Sequence, residues 1–276
     1  MRTSRRFQNP TRPFILAVFV SFGITVSGAC TFGQSPEDAE VSTPPETVHP
    51  AQPSAEEQRI FADLVKHNEQ RSAALREYSS VRTYSVSDPN GKVHAKEVVR
   101  MEYVAPDKKT FAKVSEEGSG VVRRLVLNRL MDSERSTASG KEHHDSAITP
   151  ENYVFHLLGE EDSGQHHCFV VEALPKRQDK YLFQGKVWID NIDLAVVKIA
   201  GHPAKKLSFW ISRADFVRQY EKIGDFWLPI KDETLVDIKL YGRKILRIEH
   251  HIDSINGVVS RPSPADPGSS YSAGRR

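Results

Sequence analysis

Along residues 93–104 (VHAKEVVRMEYV), Val99, Met101 and Tyr103 alternate with Val98, Arg100 and Glu102, the period of two that a half-buried strand requires. The run "VRTYSVS" precedes it, and "DPNG" between them is a strong turn sequence, so the two predict a hairpin. Strand-like runs continue with "KTFAKVS", "NYVFHLL", "HCFVVEAL", "KYLFQGKVWID", "LAVVKIAG", "LSFWISRADFVRQY", "FWLPIKDETLVDIKL" and "RKILRIEHHID". Consecutive strands with short polar connections favour an antiparallel meander. About ten strands exceed what a flat open sheet holds comfortably, which calls for strong curvature or partial closure.

Two segments follow a helical period instead. In "SAEEQRIFADLVKHNEQRSAALREY", Ser54 is placed to cap, with Glu57 three residues on and Ile60, Phe61, Leu64 and Val65 on one face. In residues 121–139, Val122, Leu125, Val126, Arg129 and Leu130 are helically spaced. Its Val- and Leu-rich opening also fits a strand, although the spacing favours a helix. The expected fold class is α+β: a strongly curved antiparallel sheet, an unclosed β-barrel of about ten strands. An N-terminal helix and a second helix would cover its concave face.

The stretch "GKVWIDNIDLAVVKIAG" raises the question of its two carboxylates. Phe183, Val187 and Ile189 share one strand face, while Val197 and Ile199 share one face of the next strand. Pairing Ile189 with Ala195 across an odd loop, Asn191-Ile192-Asp193, keeps both sets on the same side; one slipped residue inverts every side chain. Asp190 and Asp193 then fall at the turn, where Asx side chains bind nearby backbone N–H groups. They read as turn residues and not as a catalytic or metal-binding pair.

Taken together, Val99, Met101, Tyr103, Phe183, Val187, Ile189, Val197, Ile199, Phe209, Ile211, Val236 and Ile238 form a concave apolar set larger than two helices can cover. Singly, each fits an ordinary core; as a set they suggest a ligand chamber. Trp188 and Trp210 fall on the opposite parity, an outer aromatic patch for which cover by a loop is favoured over a partner surface.

The ends of the chain differ in kind. Residues 1–29 carry Arg2, Arg5, Arg6 and Arg12, an apolar run from Phe14 to Val26, and small residues, as in an export signal. An uncut membrane anchor is the alternative. "VSGAC" resembles a lipobox, with Ser27 where Leu is usual, making Cys30 the lipidation candidate. Residues 30–54 are rich in Pro, Ser, Thr and Glu, a composition that cannot offset its ordering entropy. They read as a tether spanning ~25–30 Å as a coil. Residues 55–256 form the folded domain and 257–276 a disordered tail.

Composition narrows function mainly by exclusion. Of 276 residues, 27% are charged, and the net charge of +2 gives no case for nucleic acid. Of two cysteines, only Cys168 lies in the folded part, which argues against an internal disulfide. Its neighbour His167 points to the other strand face, so the pair reads as a buried thiol beside an outward imidazole. The adjacent pairs His143-His144, His166-His167 and His250-His251 diverge in the same way. No H-E-x-x-H, G-x-S-x-G or P-loop occurs. No catalytic residue, metal or cofactor is expected.

The helix ending in "LREYSSVRTY", the hairpin "YLFQGKVWIDNIDLAVVKI" and the segment "YEKIGDFWLPIKDETLVDIKLYG" resemble the LolA/LolB-like superfamily of periplasmic lipoprotein carriers. That resemblance covers roughly residues 55–255. It implies an unclosed barrel with helices as a lid over an apolar cavity for acyl chains, and a non-enzymatic role. The implied partners are lipid or lipoprotein acyl chains, and a partner protein of the envelope. The same barrel used as a membrane-tethered interaction or sensor scaffold is the alternative.

Overall fold

In a computed structural model that describes residues 55–136, 138 and 144–259, the alternating runs become ten long strands and one short one. The chain opens with helix α1 (Ala55–Ala74), then β1 (Glu77–Ser87), β2 (Val93–Val104) and β3 (Lys108–Gly118). A helical connection follows: α2 (Gly120–Val122), a π-helical turn (Arg123–Leu127) and α3 (Asn128–Ser136). The meander then runs β4 (Tyr153–Ser163), β5 (His166–Pro175), β6 (Phe183–Asp190), β7 (Val196–Pro203), β8 (Ile211–Ile223), β9 (Phe226–Ile238) and β10 (Gly242–Ile255), with β11 (Val258–Val259) beside β10.

Every strand pairing among the described residues is antiparallel, in the order β3-β2-β1-β10-β9-β8-β7-β6-β5-β4. The one non-consecutive neighbour is β1 against β10. The sheet therefore curls back on itself but stays open between β3 and β4, and the helical connection links those two edges. Burial alternates strictly along β1, from Tyr78 through Ser80, Arg82 and Tyr84 to Val86, so one face of the curl is interior. At the Asp88–Lys92 turn, Gly91 takes φ +84°, which a side chain rarely adopts. Between β6 and β7, Gly185 lies opposite Gly201, and a Cβ on Gly185 would meet the Ala200 carbonyl oxygen at 2.1 Å. Only a glycine pair permits that approach.

Two expectations shift by one residue. The π-helical turn adds a position to the 121–136 face, so Leu127, Leu130 and Met131 are buried while Leu125 is exposed. At the β6–β7 hairpin the closing pair is Asp190 with Ala195, and Ile189 pairs with Val196. A bulge at Val197 then restores the register, giving Trp188 opposite Lys198 and Val187 opposite Ile199. The loop holds an even number of residues, and the bulge, not an odd loop, keeps the two apolar sets together. The assignment of 1–54 lies outside the described residues, as does that of 260–276; β11 carries the sheet beyond the expected boundary at residue 256.

Candidate functional site

The interior under α1 has two parts. Beneath the first turns of the helix, Phe61 stacks on Phe155 at 4.7 Å, and Leu64 and Val65 meet Val171, Val187 and Ile189. Leu127, Leu130 and Met131 join the same core from the helical connection. Only about 20 Å³ remains empty there, about one water's worth of free space.

Beneath the last turns of α1 the sheet does not close on the helix. A cavity of about 660 Å³ lies between Asn68–Leu75 and the strands, within the range of about 300–1,000 Å³ typical of small-molecule sites. Leu75, Tyr78, Tyr103, Val196, Phe226, Trp227, Leu228 and Pro229 supply its apolar and aromatic wall. Asn68 and Val196 border both spaces, so the cavity abuts the packed region directly.

Its floor is charged. Glu134 lines it and accepts at 2.7 Å from Nη1 of Arg82, which lies just behind the lining, with both side chains almost fully buried. Arg218 pairs with Asp232, and His250 Nε2 meets the other Asp232 oxygen at 2.8 Å. These groups converge because Arg82 lies opposite His250, and Arg218 opposite Asp232, in the ladders. Burial alone would raise the Asp232 carboxyl, yet Arg218 and His250 together hold it well below the usual carboxylate range. Burial and Arg82 push the His250 imidazole below its ordinary value. Lys109 also faces the cavity, and burial lowers its ammonium to about 8, Glu134 opposing the shift and Arg82 and Arg218 adding to it.

The roof is latched at one side. Arg71 on α1 donates to the carbonyls of Asp193 at 2.8 Å and Leu194 at 2.6 Å. Leu194 holds φ +47°, an uncommon value for a side-chain-bearing residue. The loop is fixed in turn from below: Asp193 accepts from Trp227 Nε1 at 3.0 Å and pairs with Lys222 at 2.7 Å. Asp190 accepts the N–H groups of Ile192 and Asp193 and meets His166 at 3.0 Å. The two carboxylates thus hold the turn, and the turn holds the helix.

The twelve concave candidates do not share one surface. Tyr103 lines the cavity and Met101 packs just below it with Tyr78 and Leu228. Val187 and Ile189 line the small void, and Val99, Phe183 and Ile199 are buried in the same core. Ile211, Val236 and Ile238 form a separate cluster with Ala214 and Leu207.

Two candidates depart from the concave face. The bulge turns Val197 outward, where it packs with Cys168, Val170 and Trp188, and Val196 takes its place inside. Phe209 precedes β8, so strand parity does not apply to it; it is 70% exposed, with Lys239 Nζ 3.8 Å from its ring centroid. Trp188 and Trp210 form no common patch: Trp188 is buried under Lys198 and donates to Glu161, whereas Trp210 sits against Phe209. Cys168 is a buried free thiol raised to about 11 by burial, and His167 points away to Glu160 and Asp162. Cys30 lies outside the described residues.

The charged floor is absent from the candidate set. A signal for it existed: Arg82, Arg218, Asp232 and His250 each occupy the inward strand parity among mostly apolar or aromatic neighbours, between Tyr84 and Ser80, Phe216 and Tyr220, Thr234 and Ile230, or Ile248 and Ile252.

No protein-family model matches the chain, and no curated protein matches it. Among solved structures, a domain ascribed to outer membrane lipoprotein sorting from Vibrio parahaemolyticus is 12% identical, over 71% of this chain and 93% of that one, with a TM-score of 0.41. A LolA superfamily protein from Nitrosomonas europaea is 11% identical over 75% and 94%, with a TM-score of 0.35. A DUF1329 family protein from Desulfovibrio piger is 14% identical over 70% and 90%, with a TM-score of 0.37.

Proposed function

We propose that this chain is a non-enzymatic binding protein of the cell envelope that holds the acyl chain of a lipid or lipoprotein beneath α1. The observation that carries this reading is the cavity of about 660 Å³ between the last turns of α1 and the sheet. Its wall is apolar and aromatic, and each methylene it buries contributes ~0.8 kcal/mol before the costs of association. Four charged side chains at the floor are engaged in structural pairs, Arg82 with Glu134 and Arg218 with Asp232, and none of these is arranged as a nucleophile with its base. Lifting the C-terminal half of α1, which breaks the two Arg71 bonds to the β6–β7 loop, would widen the entry. Residues 1–29 would direct export to the periplasm. Residues 30–54, with or without a lipid on Cys30, would tether the domain to the outer membrane.

Mass spectrometry of organic extracts from the purified protein tests the reading. Stoichiometric lipid, lost when the cavity is filled by Leu75→Trp, is the expected result. An extract without lipid, from protein that also fails to bind added hydrocarbon chains, would contradict it.

A further inference from the structure

The cavity floor leaves one cation over. Among the described residues, Arg82 and Arg218 have carboxylate partners in Glu134 and Asp232. Lys109, half-buried, borders the same cavity and has no hydrogen bond or ion pair among the described residues. Its position follows from the ladder: Lys109 lies opposite Tyr103, which lies opposite Tyr78, and all three side chains line the cavity. His250 adds no compensating charge, because burial and Arg82 favour its neutral form. The floor and the residues just behind it therefore hold three cationic side chains, Arg82, Arg218 and Lys109, against two carboxylates, Glu134 and Asp232, while Arg71, bonded to the β6–β7 loop, and the exposed Glu69 stand at the rim of the half-open cavity.

An ammonium set against an apolar wall without a counter-ion is costly to the degree that the wall keeps water from it. The lowered proton affinity of Lys109, brought to about 8 by burial against the pull of Glu134, reports that cost. Surface lysines on the same strand have no such constraint: Lys113, two turns of the pleat away, is paired with Glu97 and Glu116.

We propose that the ligand of this cavity is an amphiphile with a single anionic head group, a carboxylate or a phosphate, and that Lys109 is its counter-ion. This assignment rests on the acyl-chain reading above and adds the chemistry of the head. The head lies against Lys109, beside the Ala105-Pro106 turn that borders the cavity. The chain lies along Leu75, Phe226 and Leu228. A neutral head would leave the ammonium unpaired, and a cationic one would face Arg218 and Lys109 together. Selectivity for anionic heads follows.

Delipidated protein, titrated with twelve-carbon ligands that differ only in the head, separates the two levels of the reading. Emission of Trp227, which lines the cavity, serves as the reporter alongside calorimetry. Dodecanoate and dodecyl phosphate are expected to bind about tenfold or more tightly than dodecanol, as a charge-assisted contact provides. Dodecyltrimethylammonium is expected to bind most weakly. In Lys109→Met the anionic preference disappears while dodecanol binding persists; Lys109→Arg restores the preference. Preference for dodecanoate over dodecyl phosphate, or the reverse, identifies which anion the site is shaped for. Equal affinity of the wild type for dodecanol and dodecanoate would overturn the assignment while leaving the chamber standing. So would a preference that survives Lys109→Met. Failure of all four ligands to bind would overturn the chamber itself.

Discussion

Under the first turns of α1 the sheet meets Phe61, Leu64 and three side chains from the helical connection, and about 20 Å³ is left. Under its last turns the same sheet meets Asn68, Ser72 and Leu75, and about 660 Å³ is left. Both regions use strands of the same curl, so curvature alone does not make the cavity. The difference lies in what is sent to fill it. The residues linking β3 to β4 deliver Leu127, Leu130 and Met131 to one end only, while at the other end the large inward positions are charged or aromatic and cannot close over one another without leaving charges unpaired. A hollow survives where packing it would bury unsatisfied polar groups.

The comparison can be broken most severely at the floor. Arg82→Met removes the guanidinium that pairs with the buried Glu134 carboxylate and should cost ~3–5 kcal/mol in chemical denaturation. A loss below ~1 kcal/mol would mean that the floor is solvated and not structural. Next comes the contrast between the regions. Leu130→Ala in the packed end should cost ~2–5 kcal/mol, because it opens a new void. Leu75→Ala at the cavity should cost under about 1 kcal/mol, since the void beside it already exists. Similar losses at the two sites would erase the distinction. Arg71→Ala removes the latch without touching either core. Amide exchange in the C-terminal half of α1 should accelerate about tenfold, with β5 and β6 unchanged.

The pH dependence gives the smallest effect and a definite sign. Asp232 and His250 both have folded-state values held below their ordinary ones. For each, the unfolded chain binds protons first as pH falls, so the stability they contribute is complete above the unfolded values and declines below them. The melting temperature should therefore fall gently below about pH 6.5 and more steeply below about pH 4. In Arg218→Met the Asp232 carboxyl loses its strongest support, and the acid limb should move to higher pH.

Much of the architecture could be read from the chain because period-two alternation is strong in nearly every strand. The 93–104 run became β2 with the bounds the sequence suggests, and the carboxylates of the β6–β7 turn bind backbone N–H groups as Asx residues do. Two local events escaped the pattern. A π-helical turn and a one-residue bulge each shift a face by one position, and neither carries a composition signal. They exchanged Val197 for Val196 and brought in Leu127.

The site itself was legible only in part. Apolar parity finds the inner face of a curved sheet but says nothing of which portion is filled, because that depends on where a distant connection lands. It also passed over Arg82, Arg218, Asp232 and His250, whose place in apolar rows marks them as buried and paired. Phe209 failed for a different reason: its segment looks like a strand, yet regular pairing of β8 begins at Ile211.

Binding of a spin-labelled acyl chain, followed by the broadening of individual amide signals, tests the division between hollow and packed ends most directly. Broadening at Leu75, Tyr78, Val196 and Leu228, with sharp signals retained at Leu130, Phe155 and Val171, is the predicted result. Uniform broadening across both regions, or broadening confined to the outer face around Cys168 and Val170, would contradict it.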